Sequence, residues 1–244
     1  MSKLFNKSIS IIGGAGHVGF PLGLVFSSKN FHVTLVDKNQ KNINKINSGK
    51  VPFLEEKSKP LLTASLKKKK IIATNNLYEV KKTKFIIVCI GTPITNNLNP
   101  SLKPFINFFK HLKPFLRKDH IIIIRSSIYP GICDKIYKLI SNKCKNISYC
   151  PERIVQGKSI TELPKLSQLV SGKNKKSISE SGKLFKKICK KIIFTNVIEA
   201  ELVKLFSNAY RYVNFSIANQ FYMICKSHDL NFEKIRNIMM DGYE

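Results

Sequence analysis

Ser8-Ile9-Ser10-Ile11-Ile12-Gly13-Gly14-Ala15-Gly16-His17-Val18-Gly19 is the stretch that decides how the chain is read. Its apolar run has the length of a strand. The run breaks into glycines at Gly14, Gly16 and Gly19, and Phe20-Pro21-Leu22-Gly23-Leu24-Val25-Phe26 then reads as a helix. In a G-x-G-x-x-G loop the first glycine permits the tight turn and the second lets the backbone approach a pyrophosphate. The third lets helix and strand pack closely. A helix N-terminus offers unpaired N–H groups and about half a positive charge to such a ligand. Alone, glycines after a strand can also be an ordinary turn, so the surrounding chain has to supply the context.

Moving outward, His32–Val36 reads as a second strand ending in Asp37. An acid about 20 residues beyond the glycines is where a dinucleotide fold puts the carboxylate that accepts from the adenosine ribose hydroxyls. It favours NAD over NADP, because it would repel a 2′-phosphate. Ile71–Thr74, Phe85–Ile90, His120–Arg125, Ile147–Cys150, Leu169–Ser171 and Ile192–Phe194 are further short branched runs. Helical stretches near Lys41–Asn47, Pro60–Leu66, Ile132–Ser141 and Lys175–Lys190 separate many of them. Such alternation predicts an α/β fold, a Rossmann-like doubly wound and mostly parallel sheet.

In an open parallel sheet, ligands bind outside the C-terminal strand ends. Three strand ends carry polar groups: Gly91-Thr92-Pro93, Ser126-Ser127 ahead of Pro130-Gly131, and Pro151-Glu152-Arg153-Ile154. Thr92 is either a cofactor contact or a turn hydroxyl. Glu152 and Arg153 suit water activation and anion binding, or form a structural ion pair. From Glu199 to about His228 there is no helix breaker, which predicts one helix about 45 Å long. Leu202, Leu205, Phe206, Ala209, Val213, Ile217 and Ile224 follow helical spacing and are expected to be buried; Glu201, Lys204, Asn208 and Arg211 form a polar ridge. A further helix begins near Asn231.

Composition bounds the rest. The 244 residues are 43% hydrophobic, which argues against disorder. No apolar run approaches the roughly 20 residues needed to span a bilayer, and no signal peptide is read at the N-terminus. The six cysteines are scattered, with no C-x-x-C pair, which favours reduced thiols and a cytoplasmic location over a disulfide scaffold or metal site. A net charge of +27 invites a nucleic-acid reading. The lysines, however, are spread along every segment, and no nucleic-acid-binding motif accompanies them. A solvated lysine surface, with neither a nucleic-acid nor a membrane partner, is the expectation.

These residues together resemble the UDP-glucose / UDP-N-acetylmannosamine dehydrogenase family of NAD-dependent nucleotide-sugar 6-dehydrogenases. Gly14-Ala15-Gly16-His17-Val18-Gly19-Phe20-Pro21-Leu22 is similar to its G-x-G-Y-V-G-L-P-L loop, with His17 in place of Tyr. Ile46-Asn47-Ser48-Gly49 with Pro52 and Glu55, Gly91-Thr92-Pro93, Ser126-Ser127-Ile128-Tyr129-Pro130-Gly131, Pro151-Glu152-Arg153 and Lys204-Leu205-Phe206-Ser207-Asn208 follow in the family's order. The resemblance implies NAD as cofactor and two hydride transfers that take a sugar C6 alcohol to a carboxylate. It implies Gly14, Gly16, His17, Val18, Gly19, Asp37, Thr92 and Ser126 around the cofactor. It implies Lys204 and Asn208 as oxyanion stabilisers, and Glu152 and Ser127 as positioning or activating a water. Arg153, Ile154 and Arg211, with Lys204 and Asn208, are the implied substrate contacts. The Pro-Glu-Arg form and Arg211 look more like the UDP-N-acetylhexosamine branch than the UDP-glucose branch.

The family's nucleophilic cysteine, in a G-G-x-C-x-P-x-D segment, has no counterpart among these residues, and neither does its UDP-binding domain. The expectation is therefore an N-terminal part. It comprises an NAD-binding domain over 1–196 and the start of a central helical domain over 197–244, which pairs into a homodimer through the long helix. Such a chain would bind NAD and not complete the oxidation alone. A UDP-glucose dehydrogenase part and a non-catalytic NAD-binding module stand as alternatives.

Overall fold

The computed structural model describes residues 5–92 and 101–242; Pro93 of the threonine–proline turn lies outside them. In chain order the elements are β1 (Ser8–Ile12), α1 (Gly19–Ser28), β2 (His32–Val36), α2 (Gln40–Asn47), α3 (Ser58–Lys67), β3 (Ile71–Thr74), β4 (Phe85–Val88), α4 (Lys103–Leu112) and β5 (Ile121–Ile124). They continue as α5 (Ile132–Ile140), β6 (Ile147–Tyr149), α6 (Ser159–Glu162), β7 (Gln168–Gly172), α7 (Lys175–Phe185), β8 (Ile192–Phe194), α8 (Val197–Ser227) and α9 (Phe232–Met240). The strands form one sheet in the order β3-β2-β1-β4-β5-β6-β7-β8. All neighbours are parallel except β6 and β7, where Ser148 faces Gly172 and Tyr149 faces Ser171 in antiparallel register. The order reverses direction between β1 and β4, which opens a crevice at their C-terminal ends.

Strand alternation explains the continuous apolar runs. Ile121 and Ile123 join the core on one face with Ile9, Ile11 and Phe185, whereas Ile122 and Ile124 join the other with Phe105, Phe109 and Ile136. Both faces of β1, β4 and β5 are covered, and the Ser10 hydroxyl on β1 is accordingly paired with Thr83 Oγ1 at 2.9 Å. Helix α4 was not expected from the sequence, although Pro104 near its start and Phe105, Phe109 and Leu112 at helical spacing signal it. At the β3 edge, the Asn47 side chain accepts from the Ala73 N–H at 2.9 Å and donates to its carbonyl at 2.8 Å, standing in for a missing strand. That gives the N-x-G segment a structural job.

One buried group sets an acid limit. The His120 ring is fully buried; Nδ1 accepts from the Arg117 N–H at 3.1 Å, and Nε2 has no hydrogen-bond partner among the described residues. Burial pushes its pKa down to about 4, with the Arg117 charge adding and Asp119 opposing. Between that value and the ordinary 6.5 the unfolded chain binds the extra proton, so stability is lost as pH falls through this window. The loss at pH 5 relative to pH 7.5 is about 2 kcal/mol. His120→Asn keeps an acceptor for Arg117 and does not titrate; urea unfolding at the two pH values should show its pH difference shrinking by about that amount.

The chain divides into two compact units, Met1–Leu202 and Val203–Glu244. In the second, Phe221, Ile224, Leu230, Phe232, Ile235 and Met239 line an apolar groove of about 250 Å³ between α8 and α9. The burial expected along α8 is not found. Leu202 and Leu205 are half-buried, and Phe206, Ala209, Val213, Ile217 and Ile224 are exposed, Val213 at 55%. Tyr210, Tyr212 and Phe215 are exposed as well, so the apolar residues run round the helix rather than along one stripe, and α9 reaches only its C-terminal end.

Candidate functional site

The glycine loop follows β1 directly. Its left-handed residue is Gly13 (φ +74°), one position earlier than the glycine assigned to the turn from sequence; the N–H groups of Gly13 and Gly14 both donate to the Val36 carbonyl, at 2.9 and 3.2 Å. Gly14 instead permits close approach to β2, since a Cβ there would stand 2.7 Å from the Leu35 Cα. Gly19 packs against the loop itself, where a Cβ would meet the Gly13 carbonyl oxygen at 2.4 Å. Gly16 differs: its Cβ would meet only the Gly13 oxygen, at 3.3 Å, and the residue lines the crevice. Val18, half-buried at the α1 N-terminus, provides no side-chain cap. His17 is exposed and its ring lies 3.9 Å from that of Phe53.

Asp37 closes this loop. Its Oδ2 accepts from the Ala15 N–H at 2.9 Å and its Oδ1 from the Asn39 N–H at 3.0 Å. The crevice beside it has a volume of about 530 Å³, and its walls include Gly16, Asp37, Asn75, Leu77, Ile90 and Phe108. A bare glycine, an uncapped helix N-terminus, a strand-end carboxylate and apolar walls are the features an adenine dinucleotide needs. Thr92 donates to the Ser127 carbonyl at 2.7 Å, tying the loops after β4 and β5 together. Ser126 is buried, with its N–H 3.2 Å and its hydroxyl 3.4 Å from the Val88 carbonyl, while Ser127 is half-buried.

Glu152 does not pair with Arg153. It pairs with Arg125, fully buried at the end of β5, whose Nε donates to Glu152 Oε2 at 2.6 Å and whose Nη2 reaches the same oxygen. Arg125 Nη1 donates to Gln168 Oε1 at 2.8 Å and to the Cys150 carbonyl at 3.2 Å, and the guanidinium stacks over Phe185 at 5.1 Å. Burial is the largest influence and works against this charge, but Glu152 together with Cys89, Cys150 and Cys189 outweighs it and holds the guanidinium pKa above its ordinary value. Glu152 Oε1 accepts the N–H groups of Arg153 and Ile154, at 2.7 and 2.9 Å. The Arg153 side chain is left exposed and Ile154 half-buried.

Glu201 is a second correction: it leaves the ridge proposed for α8 and is 1% exposed. Its carboxylate accepts from the Gly131 and Cys133 N–H groups at 2.7 and 3.1 Å, capping α5, which has no cap of its own. In the second unit, Lys204 is buried, Asn208 half-buried and Arg211 exposed, on successive turns of α8. All six cysteines are free thiols. Burial raises Cys89 and Cys150 to about 12 despite the nearby Arg125, raises Cys144 and Cys189 to about 11, and raises Cys133 well above its ordinary value. At these values the thiolate, the nucleophilic form, is disfavoured in all five. No group of three metal-ligating residues occurs among the described residues, and no helix among them is long and apolar enough to cross a membrane.

Comparison with known proteins bears on this arrangement. Residues 7–193 match the NAD binding domain of the UDP-glucose/GDP-mannose dehydrogenase family, and residues 198–242 match its central domain. A UDP-N-acetyl-D-mannosamine dehydrogenase of Methanococcus maripaludis is 30% identical over 230 residues, covering 92% of this chain and 53% of that protein. A solved structure of a UDP-D-ManNAc dehydrogenase from Pyrococcus horikoshii superposes with a TM-score of 0.85 at 27% identity, over 95% of this chain and 57% of that one. A GDP-mannose dehydrogenase ternary complex from Pseudomonas aeruginosa shares the fold, with a TM-score of 0.86 at 21% identity over 96% of this chain and 56% of that one. The chain spans about half the length of the curated relatives it matches.

Proposed function

Because the chain belongs to the UDP-glucose/GDP-mannose dehydrogenase family and carries its NAD-binding domain, we propose that it serves the NAD-dependent oxidation of a UDP-sugar at C6 to the uronate, in the cytoplasm, for polysaccharide precursor synthesis. UDP-N-acetylmannosamine, or another UDP-N-acetylhexosamine, is the substrate we favour. The observation that carries the reading is the Asp37-closed glycine loop, with Gly16 bare against the 530 Å³ crevice at the switch point of the sheet. Bound there, NAD supplies the hydride acceptor.

In this proposal Gly14, Gly16, His17, Val18, Gly19 and Asp37 hold the pyrophosphate and ribose, and Thr92 and Ser126 the nicotinamide side. Lys204 and Asn208 donate hydrogen bonds to the oxyanion that develops at C6; such fixed donors typically contribute a few kcal/mol each. Ser127 and Glu152, the latter oriented by Arg125, hold a water. Arg153, Ile154 and Arg211 contact the substrate. Residues 1–196 act as the cofactor domain and 197–244 as part of the central domain, whose exposed aromatic residues along α8 support pairing with a second copy.

Calorimetric titration tests the cofactor site. NAD should bind, NADP at least tenfold more weakly, and Asp37→Ala should cost about 10- to 100-fold in NAD affinity, the loss expected for charge-assisted hydrogen bonds. NADP binding as tight as NAD would refute the role given to Asp37. Reduction of NAD monitored with UDP-N-acetylmannosamine and with UDP-glucose then ranks the substrates. A second reading, NAD binding without uronate formation by these 244 residues, is supported by the five thiols whose pKa is raised, since uronate formation in the family proceeds through an activated cysteine. Robust uronate production by the chain would exclude it.

A further inference from the structure

The segment Val51–Lys57, between α2 and α3, touches two loops that lie far apart in sequence. On one side the Phe53 ring lies 3.9 Å from the His17 ring of the glycine loop and 5.7 Å, edge-on, from Phe20 in the first turn of α1. On the other side Glu55 is 5% exposed; its Oε1 accepts from the Ile160 N–H at 3.1 Å and its Oε2 from the Ser159 hydroxyl at 3.3 Å. The neighbouring Glu56 N–H donates to the Gly157 carbonyl at 3.0 Å. Leu54, between the two anchors, is 91% exposed. The segment is therefore fastened at Phe53 and Glu55 and not by the side chain between them.

The loop that Glu55 fastens is the one leaving β6 through Glu152, Arg153 and Ile154. It is closed on itself, because the Val155 N–H donates to Glu162 Oε2 at 2.7 Å while Glu152 Oε1 takes the N–H groups of Arg153 and Ile154. Phe53 and Ile154 also pack against the same core face, and α6 lies against α1. A change in the order of the glycine loop thus reaches residues 153–160 through one continuous set of contacts: His17 to Phe53 by ring stacking, then Glu55 and Glu56 to Gly157, Ser159 and Ile160 by hydrogen bonds.

We infer that Val51–Lys57 is a strap coupling the cofactor loop to the loop that carries Arg153 and Ile154, with Glu55 the positioning residue of the second loop. The inference rests on the proposed role of Arg153 and Ile154 as substrate contacts. Its physical content is that NAD, by ordering the loop around His17, stiffens the substrate loop before substrate arrives. Coupling of this kind is a free energy shared by two sites, and typically amounts to a 5- to 150-fold effect.

Hydrogen exchange on the whole chain, with and without saturating NAD, tests it without turnover or substrate. Peptides covering 154–162 should exchange about fivefold or more slowly with NAD bound, although they do not line the cofactor crevice. Phe53→Leu keeps apolar volume but loses the ring stack; at NAD concentrations that saturate the variant, the slowing at 154–162 should fall below twofold. Glu55→Ala should make those peptides exchange rapidly whether or not NAD is present, and Glu55→Gln, which retains an acceptor for Ile160, should restore much of the slowing. NAD binding with no change at 154–162 overturns the strap and leaves the cofactor site standing, as does protection that persists in Phe53→Leu. Failure of NAD to bind at all overturns both.

Discussion

Replacing Arg125 by Met should lower the unfolding free energy by about 3–5 kcal/mol, the cost of removing one partner from a buried ion pair. The guanidinium is 1% exposed, and its Nε and Nη2 both reach the same oxygen of Glu152. Its removal would take the guanidinium from Glu152 Oε2, and the Nη1 donor from Gln168 Oε1 and the Cys150 carbonyl. Met fills much of the aliphatic volume, so the loss measures the charge and its hydrogen bonds more than a cavity. Arg125→Lys should also be costly, because a single ammonium cannot serve Glu152, Gln168 and Cys150 together. The double variant Arg125→Met with Glu152→Gln should recover part of the loss, since the buried negative charge goes together with its guanidinium. Urea midpoints at constant m-value decide it; a loss under 1 kcal/mol for Arg125→Met would show that the pair is not what holds the ends of β5 and β6 together.

That pair also marks where the sequence stops being legible. Most strand positions are legible, because central strands such as β4 and β5 bury both faces and so appear as unbroken branched runs, whereas α4 and α6 are not. The glycine loop and Asp37 were legible for a similar reason: backbone geometry and a strand-end carboxylate leave few residue choices. The pairing of Glu152 with Arg125 was not legible. Arg153 is its chain neighbour, whereas Arg125 comes from another strand, and only the parallel pairing of β5 with β6 brings the two together. Glu201 was misplaced for the same reason, since its partners are backbone N–H groups on α5. Along α8 the helix itself was legible and its burial was not, because apolar spacing says which residues want cover and not what covers them.

The two glycines that look most alike in the loop should behave most differently. Gly19→Ala puts a methyl 2.4 Å from the Gly13 carbonyl oxygen and 2.8 Å from the Gly14 Cα, both backbone atoms with no rotamer to yield. The loop or the start of α1 must shift, which should cost about 3 kcal/mol, the upper end of overpacking effects, and should remove NAD binding with it. Gly16→Ala meets one atom at 3.3 Å and has no positive φ to strain. Alanine also narrows the unfolded ensemble, worth about 0.4–1 kcal/mol in the folded state's favour, so stability should stay within about 1 kcal/mol of the parent. Its methyl, however, stands where the backbone must approach a pyrophosphate, and NAD affinity should fall by tenfold or more, since each factor of ten is only about 1.4 kcal/mol of lost contact. Thermal unfolding and NAD titration of both variants separate the two jobs. If Gly16→Ala bound NAD as tightly as the parent, the bare face of that glycine would not be the pyrophosphate cradle, and the cofactor would have to lie elsewhere along the crevice.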